Sequence, residues 1–232
     1  MKYQVSRALA GPFLHLLWRP EITGSDQIPA TGGAIIASNH LSIVDSVFLP
    51  LVLRRPLTFA AKSEYFTGRS PGQRFAGAYL RATKQLSVDR SEARAAQDML
   101  DAALALLKSG ELFGIYPEGT RSPDGRLYRG RTGVGWLALH SGLPVIPVAM
   151  IGTDKVLPPG HTVPRFHKIR MRVGEPLTFD AYRDAGPTAK ARRAVTDEVM
   201  KAIQALSGQE YVPIYASVRK TQLAGGASAV SG

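Results

Sequence analysis

His40 and Asp45 stand five residues apart in the segment NHLSIVD (Asn39 to Asp45), where a short apolar run gives way to helix-like sequence. With His40 in the turn and Asp45 in the first helical turn, the carboxylate can accept the imidazole Nδ1 proton and leave Nε2 free as a base. That is a two-membered relay without a serine. The same spacing also fits a capping pair of Ser42 and Asp45, with Asp45 complementing the helix dipole and His40 an ordinary turn residue. Spacing alone favours capping; a base of this kind needs an electrophile and an anchored acceptor beside it.

An anchor is available in YPEGTRS (Tyr116 to Ser122), again a turn directly after an apolar run. Gly119 lets backbone N–H groups approach a ligand, Thr120 and Ser122 supply hydroxyls, and Arg121 offers a planar fork suited to phosphate. Glu118 can hold that arginine or a substrate hydroxyl. A surface turn with a Glu–Arg pair has the same composition, so the segment alone does not choose between the two. A third fragment, VDR (Val88 to Arg90), ends an apolar run on an arginine just before Ser91, and helix entry accounts for it equally well.

Several other chemistries have no handle. GRSPG (Gly68 to Gly72) fits the G-x-S-x-G pattern, but a nucleophile elbow uses the N–H after its serine as an oxyanion donor, and Pro71 has none. The chain contains no cysteine, which removes disulfides, thiolate metal sites and a cysteine nucleophile. It has no P-loop, no H-E-x-x-H pair and no dinucleotide fingerprint after a strand. His15, His140, His161 and His167 are scattered without ligand spacing and read as structural.

The elements that must position these residues come from an ordinary globular composition. The 232 residues (25.0 kDa) include 44% hydrophobic and 20% charged residues, enough for one domain that needs no metal or disulfide staples. The 29 Lys and Arg against 18 Asp and Glu give a net charge of +11, which favours partners that carry phosphate. The basic residues form no recognition-helix stripe and no aromatic RNA-binding signature accompanies them, so nucleic acid is not an expected partner. Strands are predicted at Gly33 to Ser38, Leu57 to Lys62, Glu111 to Pro117, Val145 to Ile151 and Lys168 to Val173. Helices are predicted from Ser42, as cap, to Leu53, from Ser91 to Lys108, over Gly133 to His140, and as a last helix with the stripe Val195, Val199, Ala202, Ile203 and Leu206. From Ala224 the Gly/Ala/Ser-rich end reads as a frayed tail. Strands alternating with helices mean α/β. The uncharged run Thr132 to Thr153 is interrupted by Gly142, Pro144 and Pro147 and is not expected to span a membrane.

The ordered set NHLSIVD, VDR, YPEGTRS and LPVIPVA (Leu143 to Ala149) resembles the glycerophospholipid acyltransferase family, particularly its bacterial lysophosphatidate acyltransferases. The resemblance runs from about Pro20 to about Leu177. It implies a single α/β domain with a mixed, mostly parallel sheet flanked by helices, and an activity that moves an acyl group from acyl-CoA or acyl carrier protein to lysophosphatidate, with no further cofactor. It also implies a catalytic His40 aligned by Asp45, substrate contacts at Glu118, Gly119, Thr120 and Arg121, a further polar contact at Arg90, and a scaffolding role around Pro147. Lys62 and Glu64, in AAKSEYF, resemble the family's strand after the first motif. The second motif departs from the family pattern, with Lys84 where a glycine is usual and Ser87 where an aromatic is common.

A lipid acceptor makes the N-terminus relevant. Phe13, Leu14, Leu16, Leu17 and Trp18 would be apolar all round a helix, so they must meet the protein's own core or a membrane, with Lys2, Arg7 and Arg19 suited to an anionic surface. Arg19, Pro20 and Glu21 stand where a signal peptide would have its cleavage site, so the segment is expected to be retained. The expected organisation is a membrane-associating segment over residues 1–20, an acyltransferase domain over 21–208 and a tail over 209–232. The expected location is the cytoplasmic face of the cell membrane, attached peripherally or monotopically, with membrane phospholipid and lysophospholipid and acyl-CoA as partners.

Overall fold

Strand β2 (Ala34–Ser38) is buried along its whole length, and this fixes its place at the centre of the molecule. An apolar run without alternation can only be satisfied by packing on both faces. Ala34 and Ile36 belong to one core cluster, with Phe48, Leu57 and Val148, while Ile35 and Ala37 belong to another, with Phe113, Leu137 and Val199. Each Ile, Leu or Phe fully removed from water here contributes about 1.5–3 kcal/mol. The computed structural model describes residues 11, 12, 14–65, 74, 77, 78, 80, 81, 85–88, 94–158, 161–182 and 186–230. The GRSPG segment, Lys84 and Ser91 lie outside the described residues.

Around β2 the chain lays down β1 (Glu21–Thr23), α1 (Asp45–Val52), β3 (Leu57–Lys62), β4 (Leu86–Val88), α2 (Ala95–Lys108) and β5 (Leu112–Ile115). It continues with β6 (Leu127–Tyr128), α3 (Gly133–Ser141), β7 (Val145–Ile151), the single turn α4 (Thr153–Val156), β8 (Arg170–Val173), α5 (Ala189–Ser207), β9 (Tyr211–Val212) and α6 (Ala216–Val230). Seven strands form one sheet in the order β1-β8-β7-β2-β5-β3-β4, and β6 and β9 form a separate pair. All neighbours in the large sheet are parallel except β7 and β8. Helix α1 covers one face, and α2, α3 and α5 cover the other. The expected α/β architecture with a mixed, mostly parallel sheet is therefore present.

Two expectations need correction. Ser42 does not cap α1: its hydroxyl donates to the Leu157 carbonyl at 2.8 Å, and the helix start carries no side-chain cap. The stripe around Val195 to Leu206 is not the last helix either. After it the chain adds β9 and then α6, so residues 209–230 form elements where a tail is expected. The 210–214 stretch is stitched to the loop before α3, with Leu127 N–H donating to the Glu210 carbonyl and Arg129 N–H to the Ile214 carbonyl. A Gly/Ala/Ser-rich sequence has no amphipathic stripe to announce such a helix.

Candidate active site

The carboxyl ends of adjacent parallel strands open on the same edge of a sheet, where α/β proteins bind ligands. Strands β2 and β5 are such neighbours, with Ala37 opposite Ile115. The segments that leave them, Asn39 to Val44 and Tyr116 to Ser122, are thereby brought together although 78 positions separate His40 from Glu118. Two hydrogen bonds from backbone N–H groups make the join: Ser122 N–H donates to the His40 carbonyl at 2.7 Å, and His40 N–H donates to Glu118 Oε2 at 3.0 Å.

His40 Nδ1 lies 2.9 Å from Asp45 Oδ2. The same oxygen accepts the N–H of Leu41 at 2.7 Å and of Ser42 at 2.8 Å. An oxygen taking two N–H donors is an acceptor, so Nδ1 is the donor of this pair, and in the neutral imidazole that leaves the lone pair on Nε2. Asp45 is fully buried and opens α1, where the helix dipole favours a negative charge. One carboxylate oxygen both closes the turn before α1 and orients the imidazole, so the His40–Asp45 contact forms without a side-chain cap on the helix.

The imidazole is also held from its flat side. His40 stacks on Tyr116 with centroids 3.9 Å apart, and Tyr116 stacks on Phe59 at 4.9 Å. The Phe59 ring lies over Gly114 of β5, where a Cβ would overlap it, so only glycine there permits the stack. Tyr116 hydrogen-bonds Ser46 at 2.9 Å, and burial together with the Asp45 charge pushes its phenol above the ordinary range. It is therefore a fixed neutral platform. This platform was missed in the sequence, because the three rings come from three separate segments and only the fold stacks them.

Glu118, read from the sequence as a holder of Arg121 or of a substrate hydroxyl, forms no ion pair with Arg121 among the described residues. Its two oxygens accept the N–H groups of His40 and of Tyr128, the latter at 2.9 Å, and the side chain is 1% exposed. Burial pushes its carboxyl up to about 7, against the opposing pull of those two N–H groups. A raised carboxyl pKa means that the folded state binds the proton more tightly, so stability falls as pH rises from about 4.5 to about 7. The Glu118→Gln variant should lack this fall. Thermal melts of the two proteins should differ least at low pH, where Glu118 is also uncharged, and the difference should shift by up to about 3 kcal/mol in favour of the glutamine variant as pH rises through that window.

Gly119 follows with φ +72°, a left-handed conformation in which any Cβ would also press on Arg131. Thr120 accepts a hydrogen bond from Lys220 of α6 at 2.6 Å. Arg121 makes no hydrogen bond or ion pair among the described residues and is partly exposed, as a ligand-binding cation would be. The structure thus brings His40, Asp45, Glu118, Gly119, Thr120 and Arg121 together. Arg90 lies outside the described residues, as does the neighbouring Asp89. Asn39 has a structural part that the sequence does not announce: its amide exchanges two hydrogen bonds with Met150 of β7 and a third with Gln209.

Comparison with known proteins gives the arrangement a context. A family model described as Acyltransferase matches residues 19–151. The 1-acyl-sn-glycerol-3-phosphate acyltransferase of Bacillus subtilis is 27% identical over 191 residues, covering 82% of this chain and 88% of that protein. A chloroplastic enzyme of the same name from Brassica napus is 27% identical over 157 residues, 67% of this chain. The chloroplastic protein LPAT1 from Arabidopsis thaliana, also described as a 1-acyl-sn-glycerol-3-phosphate acyltransferase, is 29% identical over a stretch of the same length. The match spans only 44% and 42% of those two plant proteins. Among solved structures, the 1-acyl-sn-glycerophosphate acyltransferase PlsC from Thermotoga maritima aligns with a TM-score of 0.66 at 27% identity, covering 88% of this chain and 79% of that one.

Proposed function

Because this chain belongs to the Acyltransferase family, we propose that it moves a fatty acyl group from acyl-CoA or acyl carrier protein to the free hydroxyl of lysophosphatidate, making phosphatidate. The observation that carries the reading is the His40 imidazole, held by a buried carboxylate on Nδ1, in the same loop pair as Arg121, which forms no ion pair among the described residues. His40 Nε2 takes the proton of the acceptor hydroxyl. The oxygen attacks the thioester carbonyl, a C–O bond forms and the C–S bond breaks. The departing thiolate recovers the proton from the imidazolium. No acyl-enzyme is needed, because the acceptor hydroxyl is itself the nucleophile. Arg121 grips the phosphate and fixes the hydroxyl beside the base, replacing a bimolecular search by a positioned encounter. Mass spectrometry of the product formed from acyl-CoA and lysophosphatidate tests the reading: phosphatidate supports it, and free fatty acid alone would assign the site to thioester hydrolysis.

The lipid must be reached at a surface. No described helix is long and apolar enough to cross a membrane. Trp18 and Leu14 pack against the core, Trp18 edge-on to Phe48 at 5.8 Å, while Leu16 is 70% exposed. Leu14 and Trp18 thus meet the protein's own core, and Leu16 is left facing outward. The Trp18 indole N–H donates to the Arg165 carbonyl, and its ring lies 6.0 Å from Phe166, which with Val163 is more than 70% exposed. Leu16 and Phe166, flanked by Arg19 and Arg165, form the docking face we assign to an anionic bilayer, giving peripheral rather than spanning attachment. Exchanging Leu16 and Phe166 together for serine should lower partition onto anionic vesicles about tenfold or more, since each large side chain loses part of about 1.5–3 kcal/mol. Activity on a water-soluble short-chain acceptor should persist. Unchanged vesicle binding would remove this face from the account.

A further inference from the structure

The helix α6 lies outside the matched residues 19–151, yet it delivers a cation into the site. Lys220 Nζ bonds Thr120 Oγ1 at 2.6 Å, one residue before Arg121. The helix is anchored to do so. Tyr215, just before it, packs against Arg129 and Arg131, whose guanidinium carbons sit 5.5 and 5.1 Å from its ring centroid, and Arg131 reaches Ser217 at 3.3 Å. Arg219 approaches Asp124 at 3.6 Å, which leaves that acid engaged with Arg219 and Arg126 rather than with Lys220. Glu118 is likewise occupied by two backbone N–H groups. No carboxylate forms an ion pair with Lys220 or Arg121 among the described residues.

Lys220 and Arg121 repel each other, Lys220 is partly removed from water, and the Glu118 charge, which also acts on Lys220, offsets this only in part. Burial and the Arg121 charge do pull the Lys220 ammonium below its ordinary range. Such an arrangement is stable only weakly until an anion of higher charge enters. A phosphomonoester fits, because near neutral pH it carries between one and two negative charges and three acceptor oxygens. We propose that Lys220 is the second cation of the acceptor's phosphate site, adding a point charge to the Arg121 fork and favouring a phosphomonoester headgroup over a singly charged phosphodiester.

The inference rests on the lysophosphatidate reading, and one set of kinetics separates the two. Steady-state rates are measured for the full chain and for Lys220→Gln and Lys220→Arg, varying lysophosphatidate and acyl-CoA in turn, with melting temperatures alongside. Lys220→Gln should raise the acceptor KM about 10- to 100-fold, the range for one charge-assisted hydrogen bond, with the donor KM within about twofold. Lys220→Arg should recover most of the loss. An unchanged acceptor KM in Lys220→Gln overturns the proposal, as does an equal rise in both KM values or a loss that Lys220→Arg does not recover. If the unaltered protein makes no phosphatidate, the functional reading itself fails.

Discussion

Replacing His40 by alanine is expected to lower kcat by about 10²- to 10⁴-fold, the range attributable to a positioned general base, with little change in lysophosphatidate binding. The removed ring is held on one edge by Asp45 and on its face by Tyr116, so its loss takes away a pre-oriented proton acceptor. Asp45→Asn should act in the same direction but less. Asp45 Oδ1 has no hydrogen-bond partner among the described residues, so an amide nitrogen can take its place while the amide oxygen still accepts from Leu41, Ser42 and His40. What that variant loses is the negative charge that steadies the imidazolium. Melting curves separate this from loss of the helix start, which a missing N-terminal carboxylate lowers by up to about 1 kcal/mol. A His40→Ala protein within about threefold of the unaltered rate would end the role of this histidine as a base.

The second large effect is expected at Arg121. Arg121→Lys keeps the charge but loses the planar fork, and should reduce kcat/KM for lysophosphatidate by about 1.5–3 kcal/mol, the range for a charge-assisted hydrogen bond. The loss should fall on the acceptor and much less on the donor. Arg121 makes no hydrogen bond or ion pair among the described residues, so the substitution should leave the melting temperature close to that of the unaltered protein. Equal losses on both substrates would show that Arg121 shapes the loop rather than holding the phosphate.

The parts of this site that rest on local spacing were legible in the sequence. A carboxylate five residues after a histidine at a strand end can reach its Nδ1, and it does. Strands β2 and β7 were legible because a continuous apolar run bounded by Gly and Pro has few other ways to be satisfied. What escaped depends on partners remote in the chain. Ser42 looks like a cap until Leu157, 115 residues away, takes its hydroxyl. Glu118 looks like a partner for arginine until the parallel pairing of β2 and β5 presents it with the His40 N–H. Lys220 gives no local signal at all, since it lies 100 residues from Thr120 in a stretch too poor in apolar residues to read as a packed helix.

The account stands on direct transfer, in which the acceptor hydroxyl, activated by His40, attacks the thioester. The most direct test follows thiol release from acyl-CoA under single-turnover conditions, with and without lysophosphatidate, while phosphatidate is quantified in the same samples. Thiol should appear only when the acceptor is present, with one phosphatidate formed for each thiol and no early burst without it. Thiol release at the same rate in the absence of lysophosphatidate, or a stoichiometric burst that leaves an acylated protein, would contradict it.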